Sequence, residues 1–150
     1  MTKPKVLISD KMDPNAARIF EERGCDVDVK PGMTPEELAD VIGEYDGLAI
    51  RSATKVTPAI LEAATNLKVV GRAGIGVDNV DIPAASSKGV VVMNTPFGNS
   101  ITTAEHAIAM MFALARQIPA ANARTQAGEW PKNDFMGVEV TGKTLGLIGA

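Results

Sequence analysis

A chain of 150 residues, 45% of them hydrophobic, is long enough for one full domain with a core and too short for two complete ones. Charged residues make up 22%, the formal net charge is -3, and Lys and Arg are scattered, so no nucleic-acid groove or anionic membrane surface is implied as partner. The single cysteine, Cys25, cannot close an intramolecular disulfide.

In chain order, the first apolar run, Val6 to Ile8, is far too short for a signal-peptide core or a membrane span, and KVLIS (Lys5 to Ser9) reads as a first strand. Asp13 followed by Pro14 predicts an N-cap and a proline at the first helical position, with Gly24 as the stop. Ala16, Ile19, Phe20 and Arg23 share one face of that helix. A second strand is expected at Asp26 to Val29, where Cys25 alternates with Val27 and Val29 and reads as a core thiol; no histidine stands near it to make it a nucleophile. Thr34, Pro35 and Glu37 form a capping box ahead of Leu38, Val41 and Ile42. The third strand is GLAI (Gly47 to Ile50), Thr57 and Pro58 open a third helix, and LKVV (Leu67 to Val70) and VVVM (Val90 to Met93) are the fourth and fifth strands. Strand starts recur every ~20 residues, as parallel βαβ units require. From Asn99, NSITTAEHAIAMMFALARQIP predicts a single helix of about five turns, with a second capping box at Thr102 and Glu105. Ala104, Ala107, Ile108, Met111, Ala115 and Ile118 line one apolar stripe of it, widened by Met110 and Leu114. A polar stretch, GEWPKNDFMGVEVTGK, leads to an apolar strand at Leu145 to Ile148. The domain boundary falls in NTPFGN, giving residues 1–97 as one domain and 98–150 as a linking helix and the start of another, and the chain reads as a fragment.

Residues that follow parallel strands crowd onto one edge of the sheet, where α/β proteins bind ligands. Behind the third strand stand Arg51 and Ser52, a fork-shaped cation beside a hydroxyl that suits phosphate or carboxylate, although an Arg on a loop tip equally suits a solvated ion pair. Behind the fourth comes GRAGIGVDNVD, whose glycines at 71, 74 and 76 let main-chain N–H groups approach an anion or merely turn the chain. The order G-x-x-G-x-G is not the dinucleotide fingerprint. Behind the fifth, Asn94 and Asn99 either cap the following helix or bond a substrate. A single anion site would account for Arg51, the glycine loop and Asn99 together. His106, the one histidine, lies inside the long helix and is expected to be a surface or packing residue.

IRSATKVT, GRAGIGVDNVD, VVVMNTPFGNSITTAEHAI and KTLGLIG together resemble the D-3-phosphoglycerate dehydrogenases of the D-isomer-specific 2-hydroxyacid dehydrogenase family, across essentially the whole chain. The resemblance implies a flavodoxin-like, five-stranded parallel α/β substrate domain followed by the beginning of a Rossmann NAD-binding domain. It implies NAD as cofactor and oxidation of 3-phospho-D-glycerate to 3-phosphohydroxypyruvate on the way to L-serine. Substrate contacts would come from Arg51, Ser52, Gly74, Gly76, Val77 and Asn99, and cofactor contacts from Ile75 and Gly149, the latter as first glycine of the true phosphate loop. The catalytic Arg, Glu and His would lie beyond residue 150, so no catalytic residue and no metal ligand is assigned here. The long helix and the polar stretch resemble the family's dimerisation region, implying a homodimer or homotetramer in the cytoplasm. Alternatives are another D-2-hydroxyacid dehydrogenase, such as a glyoxylate or hydroxypyruvate reductase, and a flavodoxin-like binding or receiver module. A receiver needs an acidic acceptor where this chain has Arg51, and SDKMDPNA lacks the hydroxyls of a flavodoxin phosphate loop.

Overall fold

The computed structural model describes residues 2–148. The backbone divides into two compact units, Met1–Gly98 and Asn99–Ala150.

In the first unit, β1 (Lys5–Ile8), β2 (Asp26–Val29), β3 (Gly47–Ile50), β4 (Val69–Arg72) and β5 (Val91–Asn94) form one sheet in the order β2-β1-β3-β4-β5. Every pairing is parallel. This is the flavodoxin-like order expected from the sequence. Helices α1 (Asn15–Glu22), α2 (Pro35–Ile42), α3 (Pro58–Ala63) and α4 (Ile82–Ser87) make the crossovers. The alternation of side chains along a strand divides the sheet's residues between its faces. Leu7, Leu48, Ile50 and Val70 enter one core with Leu38, Ile42, Ile60, Leu61 and Ala85 of α2, α3 and α4.

Local chemistry explains the helix starts. Thr34 and Glu37 close the expected capping box, at 3.2 Å from the Glu37 N–H to the Thr34 hydroxyl and 2.8 Å from the Thr34 N–H to the Glu37 carboxylate. Thr57 caps α3 through the Ile60 N–H. Asp13 does accept the Asn15 N–H at 2.8 Å, but Pro14 occupies the cap position and α1 begins one residue later than expected. Helix α4 escaped the sequence reading, although Asp81 as cap and Pro83 in the first turn were its signal.

Other expectations need correction. The fourth and fifth strands lie later than Leu67–Val70 and Val90–Met93, because register pairs Ile50 with Arg72 and Arg72 with Asn94. Gly71 is therefore strand, not loop. Cys25 precedes β2 and is only half-buried, since β2 is the sheet's edge. Away from the loops that follow the strands, Tyr45 is buried ahead of β3, donates to Asp28 at 2.6 Å, and has the Lys5 and Lys30 ammoniums 4.7 and 5.8 Å from its ring centre. The Tyr45 hydrogen bond, offset in part by burial and helped by Lys30 and Lys5, holds the Asp28 carboxyl below its ordinary value.

In the second unit the expected single helix is two: α5 (Ser100–Ala115) and α6 (Ile118–Gln126). Pro119 has no N–H to offer the Ala115 carbonyl, which accepts the Val138 N–H at 2.8 Å instead. Gln117 turns the chain with φ 53. Because α5 starts at Ser100, Thr102 and Glu105 lie inside it and form no capping box. No α5 residue is buried, and Leu114 is 82% exposed. Leu145 to Ile148 form no strand, for no neighbouring strand pairs with them. Among the described residues no helix is long and apolar enough to cross a membrane.

Two substitutions separate local from tertiary stabilisation. Thr34→Ala is expected to cost about 1 kcal/mol through the lost cap, and Leu48→Ala about 2 to 5 kcal/mol through lost burial and the cavity left behind. Urea unfolding of each variant measures both.

Candidate functional site

Parallel strands deliver Ser9 and Asp10, Arg51 to Thr54, Ala73 to Val77, and Thr95 to a single edge of the sheet. Asp10 is buried there immediately after β1. Its carboxylate accepts the Arg51 N–H at 2.6 Å, the Thr54 hydroxyl at 2.7 Å and the Thr54 N–H at 3.1 Å. Burial pushes the Asp10 carboxyl up, but the Thr54 hydroxyl and the N–H groups of Arg51, Thr54 and Ala53 outweigh it and hold the group below its ordinary value. Asp10 is therefore an anion at neutral pH, and it locks the start of the loop that carries Arg51 and Ser52. Both of those side chains are exposed, and the Arg51 guanidinium donates to the Lys11 carbonyl at 3.3 Å.

The same loop is tied to the glycine-rich segment. Asn79 donates through Nδ2 to the carbonyls of Arg51 and Thr54 at 2.8 and 2.7 Å, and Val56 pairs with Val80 in an isolated parallel bridge. Within the glycine segment, the Arg72 guanidinium donates to the Gly76 carbonyl, and the loop wraps it so closely that a Cβ on Gly74 would stand 2.7 Å from Nη1. Asn94 donates to the Ile75 carbonyl at 2.7 Å, and the Thr95 N–H bonds the Gly74 carbonyl at 3.0 Å. Asn94 thus does not cap a helix; exposed at the end of β5, it fixes the glycine loop through its amide.

Arg51, Ser52, Gly74, Ile75, Gly76 and Val77 accordingly meet on one edge of the first unit. Ser52 and Val77 both line a cleft of about 810 Å³ with Asp78 and Asn79. A second, apolar cleft of about 480 Å³ lies against the sheet, between Ala16 and Phe20 of α1 and Val6, Leu48 and Met93 of the strands. Asn99 belongs to the second unit, directly before α5, and makes no side-chain cap. Gly149 lies outside the described residues. Among the described residues no group of His, Cys, Asp and Glu is arranged to hold a metal ion. The sequence reading did not single out Asp10 and Asn79, which organise the loop. Asp10 carried one usable signal, an acid placed directly after a buried strand of a parallel sheet.

The depressed Asp10 value has a defined consequence for acid stability. A carboxyl whose folded value is lowered contributes stability in full above its unfolded value, about 3.9, and loses it as pH falls through the folded value. Asp10→Asn is therefore expected to cost about 1 to 3 kcal/mol at pH 7, from donors left unmet. Urea titrations of both proteins down the acid range should show that difference shrinking only below about pH 4.

Residues 6–143 match the model of the D-isomer specific 2-hydroxyacid dehydrogenase family, catalytic domain. The chain is 50% identical over 148 residues to the D-3-phosphoglycerate dehydrogenase of Synechocystis sp., covering 99% of this chain and 26% of that protein. It is 51% identical over 145 residues to the D-3-phosphoglycerate dehydrogenase of Rattus norvegicus, covering 97% and 27% respectively. Among solved structures, the NAD+-bound 3-phosphoglycerate dehydrogenase of Entamoeba histolytica superposes with a TM-score of 0.68 at 32% identity, over 77% of this chain and 40% of that one. The chain spans about a quarter of the length of the curated relatives it matches. The match leaves no ground for a receiver or flavodoxin-like binding module. With its five parallel strands in flavodoxin-like order and the matching residues running from 6 to 143, the chain belongs to the D-isomer specific 2-hydroxyacid dehydrogenases.

Proposed function

We propose that this chain is the substrate-binding part of an NAD-dependent dehydrogenase that oxidises 3-phospho-D-glycerate to 3-phosphohydroxypyruvate, in the cytoplasm and on the way to L-serine. The observation that carries the reading is the exposed Arg51 and Ser52 beside the glycine loop on one sheet edge, with the loop main chains already held. A guanidinium and a hydroxyl on a fixed backbone suit a phosphorylated acid, whose oxygens accept parallel hydrogen bonds. The peptides of Gly74, Gly76 and Val77 would hold the carboxylate end. The chemistry that NAD would supply when bound is that of a hydride acceptor for C2 of the substrate. Ile75, 43% exposed beside the glycines, offers NAD an apolar surface, and Gly149 would begin its phosphate loop. The hydroxyl proton leaves to a His–Glu pair that, with the orienting Arg, would come from sequence after residue 150. On this reading residues 1–97 are substrate domain, 98–150 lead into the Rossmann domain, and the whole enzyme is a homodimer or homotetramer.

Arg51→Ala in the full-length enzyme is expected to weaken use of 3-phospho-D-glycerate by about 2 to 4 kcal/mol in kcat/KM, and use of an unphosphorylated 2-hydroxy acid much less. Equal losses on both substrates would assign Arg51 to the carboxylate or to the fold and remove the residue-level support for a phosphorylated substrate. The isolated chain of 150 residues is expected to reduce no NAD with 3-phospho-D-glycerate above a protein-free blank. Turnover there would show that the proton-transfer groups lie within it.

A further inference from the structure

The loop from Arg51 to Thr54 is held at both ends by two side chains from outside it. Asp10 takes the N–H of Arg51 and the N–H and hydroxyl of Thr54. Asn79 takes the carbonyls of the same two residues. All four main-chain polar groups at the loop ends are therefore engaged by one carboxylate and one amide, a carboxylate for the donors and an NH2 for the acceptors. Neither side chain could exchange roles with the other. An aspartate at position 79 would set its charge against two carbonyl oxygens, and an asparagine at position 10 could meet only one side of the loop with its single carbonyl.

Asn79 also shows which demand orients it. Its Nδ2 is used twice while its buried Oδ1 has no partner, so the amide is turned by the loop and not by its own hydrogen-bonding capacity. While the main chain is clamped, the side chains of Arg51 and Ser52 remain exposed. A fixed backbone with exposed polar heads places donors in advance for an anion, so the cost of ordering the loop is met in folding and not in binding.

We propose that Asp10 and Asn79 are positioning residues for anion recognition: they clamp the backbone of residues 51–54 from its donor and acceptor sides and thereby set where Arg51 and Ser52 present their groups. The inference rests on the reading that Arg51 binds the phosphate of the substrate, and neither Asp10 nor Asn79 touches substrate in it.

A double-mutant cycle in the full-length enzyme tests it, with kcat and KM measured on 3-phospho-D-glycerate and on D-glycerate. Asn79→Ala and Asp10→Asn should each raise KM for the phosphorylated acid about tenfold or more and lower the preference for it over D-glycerate by a similar factor. In the Arg51→Ala background, Asn79→Ala should lower kcat/KM less than about twofold further, because the charged one of the two groups it positions is gone and only the Ser52 hydroxyl remains. Equal losses on the two substrates, an unmoved KM, or full additivity with Arg51→Ala would mean that the clamp serves folding alone, and the inference falls while the phosphate reading stands. If Arg51→Ala itself leaves the preference unchanged, the phosphate reading fails and takes the inference with it. Should Asn79→Ala or Asp10→Asn yield no folded enzyme, Thr54→Val, which replaces the hydroxyl bonded to Asp10 and Ser9 by a methyl, decides by the same criteria.

Discussion

Five strands running in one direction constrain everything else in the first unit. A parallel strand cannot be joined to the next by a hairpin, so each connection crosses a face of the sheet as a helix and returns to the starting edge. The crossings bring α2, α3 and α4 over Leu7, Leu48, Ile50 and Val70, which gives the unit its core. They also leave the residues after β1, β3, β4 and β5 together on the opposite edge. Core and site are two outcomes of the same directionality.

An edge built from loops has a difficulty that strands do not share, since loop main chains lack ladder partners. Here the polar groups are met from side chains: Asp10 and Asn79 for the Arg51 loop, Asn94 and Arg72 for the glycine loop. Burying the Asp10 carboxylate carries a desolvation cost, and the hydrogen bonds around it exceed that cost, which is why its carboxyl sits below the ordinary range. Glycine serves a related purpose at position 74, where a side chain would collide with the Arg72 guanidinium. Charges at this edge are thus divided between those consumed in holding the loops and those, such as Arg51, left exposed.

The second unit shows the converse balance. Its helices form for local reasons, as the length of α5 and the break before Pro119 demonstrate, yet none of their residues is buried. Ile101, Ile108, Met110 and Leu114 stay exposed along α5. Helical hydrogen bonds close within a segment, whereas a strand exists only with a neighbour, and for that reason α5 forms while the apolar run Leu145 to Ile148 does not become a strand.

Periodicity and capping chemistry in the sequence determined the five strands, three of the four crossover helices and the side of the sheet on which the polar loops gather. These depend on short-range preferences and on the one-way geometry of βαβ units, which a linear pattern records. The family, too, was legible from IRSATKVT and GRAGIGVDNVD. Tertiary structure decided the rest. Strand ends moved because register, set by pairing, overrides hydropathy at the last residues, as at Gly71 and Arg72. Cys25 lost its expected burial because β2 proved to be an edge. Asp10, Asn79 and Asn94 acquired their roles only through partners that lie 41 to 44, 25 to 28, and 19 residues away along the chain. A hydrogen bond acts over about 3 Å whatever the separation in sequence, so such pairings become visible only once the chain has folded.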